Sequence, residues 1–134
     1  MDEELIKVTP DKEKAKSILK MVETRLELLA TINHDEFSSP VFADYYEVIK
    51  ELITIILLLD GFKTLSHKTL IEYLQKNYKD FTGHEIAFLD DLRIIRNKIS
   101  YNGFFIKPDY LERKEQDIFK IISKLKGIIK KKIE

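Results

Sequence analysis

Apolar positions recur at helical intervals along most of the chain. Ile18, Leu19, Val22, Leu26, Leu29 and Ile32 are spaced by three and four and predict a first helix. It should begin near Thr9-Pro10, with Thr9 as N-cap, Pro10 in the first turn and Asp11 at the positive end of the dipole. The polar stretch Asn33-His34-Asp35-Glu36 ends it. A second helix should start at Ser38-Ser39-Pro40, a cap followed by proline, and stop at Asp60-Gly61. A short third helix is capped by Ser66 and carries Leu70, Ile71 and Leu74. A fourth begins between Thr82 and Glu85. Its stripe is Ile86, Leu89, Leu92, Ile95 and Ile99, and Asn102-Gly103 stops it. A fifth follows Pro108-Asp109, runs through Leu111, Ile118, Ile121, Ile122, Leu125, Ile128 and Ile129, and ends in Lys130-Lys131-Lys132.

No alternating pattern long enough for a strand is visible. Residues 101–106 are of β type but are too few and lack a partner. The expectation is all-α, an antiparallel four- to five-helix bundle occupying residues 1–134 as one domain. The second half of the second helix, Ile53 to Leu59, is apolar nearly all round, which places it centrally in the fold or in a dimer seam.

Composition narrows the class. Hydrophobic residues make up 44% of the chain and charged residues 34%, a globular balance. There is no cysteine, so disulfides and thiolate metal sites are excluded. Net charge is zero, which removes any global electrostatic case for nucleic-acid binding. The charge is unevenly spread, with Asp2, Glu3, Glu4, Asp11 and Glu13 at the acidic N-terminal end and Lys120, Lys124, Lys126 and Lys130 to Lys132 at the basic C-terminal end. Both runs suit helix dipoles and a solvated surface. No signal peptide is visible, and the apolar run from Leu52 to Leu59 is far too short to span a bilayer, so a cytoplasmic location without membrane contact is expected.

Familiar catalytic signatures are missing. The chain has neither a Gly-rich phosphate loop nor a Gly-x-Ser-x-Gly elbow. His34, His67 and His84 fall in three separate loops or helix starts, so no metal or cofactor is expected. The adjacent pair Asp90-Asp91 diverges by about 100° on a helix and cannot converge on one site. Asp90 instead meets Arg93 as an ordinary i,i+3 pair.

The polar side of the fourth helix holds the best candidates. Arg93, Arg96, Asn97 and Ser100 are spaced i, i+3, i+4 and i+7 and share a face, with Tyr101 bordering it. Two guanidiniums, an amide, a hydroxyl and a phenol at one helix end can grip a phosphate of nucleotide or RNA. The same groups can also cap carbonyls or bridge helices without any ligand. Tyr101, Phe104 and Phe105 are aromatics of the kind that stack on bases, although core packing is the ordinary role of the two phenylalanines.

The segment Leu92-Arg93-Ile94-Ile95-Arg96-Asn97-Lys98-Ile99-Ser100-Tyr101-Asn102-Gly103, on the fourth of five helices, resembles the HEPN domain (higher eukaryotes and prokaryotes nucleotide-binding). That family carries an Arg, a polar residue and then a His five or six positions after the Arg. Arg96 and Asn97 match, while Tyr101 stands where the His is expected and Gly103 where a related toxin pattern has Tyr. The resemblance implies a helical homodimer with the two motifs near its axis, and a minimal nucleotidyltransferase as partner in a toxin–antitoxin-like system. In active members Arg and His form a metal-independent endoribonuclease site. A phenol ionises at about pH 10 and is a poor general base at neutral pH. The expectation is therefore a binding and interaction module for nucleotide or RNA phosphate, leaning away from an enzyme. The alternatives are an endoribonuclease toxin using Arg96 and Tyr101, and a non-enzymatic helical protein–protein interaction domain.

Overall fold

The computed structural model describes residues 4–134. Asp2 and Glu3 of the acidic run lie outside the described residues. Five helices and one two-residue strand pair make up the described chain. They are β1 (Ile6–Lys7), α1 (Lys12–Thr31), α2 (Ser38–Asp60), β2 (Phe62–Lys63), α3 (His67–Asn77), α4 (Gly83–Asn102) and α5 (Pro108–Ile133). The molecule is an all-α bundle, as the periodicity predicts.

Helix α2 is the axis of the bundle and touches every other helix. Leu52, Ile55, Ile56 and Leu57 are completely buried and Ile53 nearly so. Each such side chain contributes roughly 1.5–3 kcal/mol by leaving water. The wide apolarity of α2 is therefore satisfied within one chain. Ile53, Ile55, Ile56 and Leu57 thus take the central position among α1, α3, α4 and α5, while Leu58 and Leu59 are only partly buried.

Helix directions follow from which ends meet. Arg25 of α1 reaches Glu51 of α2 at 3.3 Å across a short connection, and Glu85 of α4 meets Lys124 of α5 at 2.8 Å, so both pairs are antiparallel. Between α2 and α5 the order differs. The rings of Phe42 and Tyr110 are 6.0 Å apart at one end, and Asp60 and Lys132 pair at 2.6 Å at the other. These two helices run side by side in the same direction. The reason is that α4 carries the chain back to the start of α2 before α5 sets off.

Three local expectations change. The first helix is capped by Asp11, whose carboxylate accepts from the Lys14 N–H at 3.0 Å, so it starts at Lys12 and not near Thr9-Pro10. Ser38 and Ser39 do not cap α2. Both are buried in its first turn, where the Ser38 hydroxyl donates to the Ile106 carbonyl at 3.1 Å and Ser39 Oγ accepts from the Ile106 N–H at 2.8 Å. Although no strand was expected, Ile6 and Lys7 pair antiparallel with Lys63 and Phe62. Gly61 makes that pairing feasible. It has φ +91°, and an added Cβ would sit 3.1 Å from the backbone carbonyl oxygen of Val8, the residue directly after β1.

The α4 boundaries agree with expectation. Thr82 and Glu85 form a reciprocal capping box at the start, and Gly103 closes the helix at φ +65°. No helix among the described residues is long and apolar enough to cross a membrane.

Candidate functional site

The last two turns of α4 carry the predicted site toward the middle of α2. Arg96 is at its centre. Its guanidinium carbon lies 5.9 Å from the ring centre of Tyr46 and 5.6 Å from that of Tyr101. One terminal nitrogen donates to Asn97 Oδ1 at 3.2 Å and to the Tyr101 hydroxyl at 3.4 Å. The other terminal nitrogen is 3.6 Å from Glu47 Oε2, too long for a good hydrogen bond. The Arg96 side chain is only 17% exposed. It is thus held between two aromatic rings, with part of its donor capacity loosely committed.

Of the five predicted residues, the structure brings Arg96, Asn97 and Tyr101 together. Arg93 is engaged one turn earlier, donating to Asp90 Oδ1 from Nε at 3.0 Å and from a terminal nitrogen at 2.9 Å. This is the i,i+3 pair expected from the sequence. Ser100 is exposed and takes no part in these contacts.

Three further groups join from other helices. Glu47 of α2 is shared between Arg96 and Lys50, with Lys50 pairing to it one turn along. His67, the first residue of α3, places its ring 5.9 Å from that of Tyr46. Burial holds the His67 imidazole below its usual pKa, and Lys50, Arg96 and Arg93 push it the same way against Glu47. The ring is therefore neutral at neutral pH. Burial also pushes the Tyr46 phenol up to about 12, with Arg93 and Arg96 opposing and Glu47 and Asp90 adding to the rise. Three cations (Lys50, Arg93 and Arg96) face two carboxylates (Glu47 and Asp90), so one positive charge is in excess. Chemically the cluster offers an anion-binding guanidinium, a neutral imidazole and an exposed phenol.

Sequence reasoning missed Tyr46, Glu47, Lys50 and His67. Tyr46 reads as one more apolar position of α2, and His67 as a helix-start residue. Only tertiary packing of α2, α3 and α4 brings them to Arg96. The other histidines serve elsewhere. His34 bridges α1 to α5, with Nδ1 3.1 Å from Glu115 Oε1 and Nε2 2.8 Å from the Leu29 carbonyl oxygen. His84 is exposed at the start of α4. Among the described residues, no three His, Cys, Asp or Glu side chains are grouped to hold a metal ion.

The two phenylalanines after α4 depart from their ordinary role, and Tyr101 in its last turn is exposed with them. Phe104 is 45% exposed, Phe105 81% and Tyr101 74%. The two phenylalanines are not core residues. Only Ile106 of that segment turns inward.

No family model matches the chain, and no curated protein matches it.

Proposed function

We propose that the C-terminal half of α4 is the phosphate-binding site of a HEPN-like helical module, and that the chain binds nucleotide or RNA without needing to cleave it. The observation that carries this reading is the Arg96 guanidinium, braced between Tyr46 and Tyr101 with its nearest carboxylate only at 3.6 Å. A guanidinium already fixed by two rings loses little freedom when it takes a phosphate oxygen, and its planar fork suits that anion. With Arg93 paired to Asp90 and Lys50 to Glu47, the cluster's one excess positive charge rests on Arg96 and favours the same ligand. The HEPN resemblance adds a homodimer and a minimal nucleotidyltransferase partner to the proposal.

A second reading, RNA cleavage without metal, is favoured by one specific observation. His67 supplies a neutral imidazole to the same cluster, although α4 has Tyr101 where the motif His belongs. In that reading His67 takes the proton of a ribose 2′-OH as its oxygen bonds to phosphorus, the P–O5′ bond breaks to leave a 2′,3′-cyclic phosphate, the departing 5′-oxygen takes a proton from water, and Arg96 steadies the charge developing on the attacked phosphate.

One set of proteins tests both readings. Wild type, Arg96→Ala and His67→Ala are titrated with a labelled RNA oligonucleotide at two salt concentrations and then incubated with it in EDTA. Binding predicts a salt-sensitive affinity that falls roughly 10- to 100-fold in Arg96→Ala, the scale of a lost charged hydrogen bond. Unchanged affinity in a folded Arg96→Ala protein removes the phosphate site. Cleavage predicts products that vanish in both variants, and intact RNA after long incubation with wild type removes that reading.

A further inference from the structure

The connection from α4 to α5 holds two phenylalanines out in water, and it does so rigidly. At its start Gly103 adopts the left-handed conformation and the Phe104 N–H donates to the Lys98 carbonyl at 3.1 Å. At its end both backbone groups of Ile106 are tied to Ser38 and Ser39 of α2. Phe104 and Phe105 lie between these two anchors. Their exposure is therefore imposed by the fold rather than being the drift of a loose loop.

A cleft of about 390 Å³ opens beside them. Its walls are Phe104, Phe105, Ile95 and Tyr110, and its rim carries Lys107 and Arg113. Arg113 lies over the Tyr110 ring at 5.8 Å. Asp109 also lines the rim, 4.0 Å from Arg113, leaving two cations against one carboxylate. Flat apolar walls inside a cationic rim suit a ligand that is planar, aromatic and attached to an anion. A nucleobase on its sugar-phosphate strand has that chemistry, because every base has a π-face and every linkage a negative charge.

We propose that this cleft is a base-stacking subsite, and that the ligand of the Arg96 site is a single-stranded nucleic acid rather than a free nucleotide or a duplex. The proposal rests on the phosphate-binding reading of Arg96. Arg96 touches Tyr101, and the stacking segment begins directly after that last turn. From Arg96 to Gly103 is seven residues, about 10 Å along a helix axis. A strand of a few nucleotides bridges that distance, with a phosphate on Arg96 and an unstacked base on Phe105. A duplex keeps its bases paired and out of reach of the cleft.

The test uses the full chain and labelled oligouridine and oligoadenosine of twelve nucleotides, the same RNA in a perfect duplex, and an oligonucleotide of abasic sites. Binding is read by fluorescence anisotropy, and circular dichroism confirms that each variant folds. Wild type should bind the single strands and discriminate against both the duplex and the abasic strand. Phe105→Ala should weaken single-strand binding roughly 5- to 100-fold, the usual range for one lost stacking contact, while Phe105→Trp retains it. The abasic strand should be insensitive to Phe105→Ala. Loss in Arg96→Ala with no loss in Phe105→Ala or Phe104→Ala overturns the base subsite and leaves the phosphate site standing. Loss in Phe105→Ala with none in Arg96→Ala does the reverse to the phosphate reading. Equal binding of duplex and single strand overturns the proposal. So does no binding of any oligonucleotide at low salt, or capture of an apolar peptide in the cleft that Phe105→Ala abolishes while nucleic acid does not compete.

Discussion

Glycine at position 103 and glycine at position 127 are the same residue doing opposite things. Gly103 closes α4 at φ +65°, where an added Cβ meets no neighbouring atom but the backbone itself is strained for any side chain. Gly127 sits exposed inside α5 with open space around its Cα and no positive φ. Gly103→Ala should therefore destabilise the protein by about 1 kcal/mol. Gly127→Ala should stabilise it by about 0.5–1 kcal/mol, because alanine loses less backbone freedom in a helix. Urea midpoints of the two variants should move in opposite directions. The site was legible at this scale only where partners share a helix. Arg96, Asn97 and Tyr101 are close in sequence, and Arg93 finds Asp90 one turn away. His67 and Tyr46 reach Arg96 through packing of three helices, which no spacing rule encodes.

At the scale of elements, all five helices are written in the period of their apolar residues and in their terminators. Gly61 and Gly103 end α2 and α4 as expected, and Ser66 caps α3 with its hydroxyl accepting from the Thr69 N–H at 3.1 Å. The β1–β2 pair is too short to leave any alternation, so its existence depends on Gly61 turning the chain beside Val8. The Ser38-Ser39 pair misled for a physical reason. Hydroxyls before a proline satisfy a helix cap well in isolation, but here they meet buried backbone groups of another segment. Their actual work is to fasten the α4–α5 connection to the start of α2. Ser39→Ala leaves the buried Ile106 N–H without its acceptor. It should cost about 1–3 kcal/mol, seen as a lower denaturant midpoint with an unchanged slope. The same variant should loosen the Phe104-Phe105 segment, since one of its two anchors is lost.

For the whole molecule, the attachment of α5 depends on pH at two points. Lys132 and the hydroxyls of Tyr73 and Tyr78 donate to Asp60 at 2.6, 2.7 and 2.6 Å. Burial alone pushes the Asp60 carboxyl up, but these donors outweigh it and hold it below its ordinary range. About two turns earlier on α5, at Lys124, burial likewise pushes Glu85 of α4 up. The Lys124 ammonium at 2.8 and 2.9 Å, with Thr82, brings it below its usual value. A carboxylate whose pKa is lowered by folding contributes stability that is complete above its unfolded value of about 4 and fades as pH falls through the folded one. Asp44 works the other way, raised by burial and by Glu47 against Arg25. On the alkaline side the sign reverses. Burial raises Tyr45 and Tyr46 to about 12, so their contribution is complete below about pH 10 and is lost as pH climbs through 12. Stability against urea should therefore form a plateau across neutral pH, with one shoulder falling below about pH 4 and another above about pH 10. Asp60→Asn keeps a hydrogen-bond acceptor for the two phenols but removes the titrating charge. It should lower the plateau and flatten the acid shoulder, because the state it mimics is the one acid produces. An acid shoulder as steep in Asp60→Asn as in wild type would show that α5 is not held there by the Asp60 carboxylate.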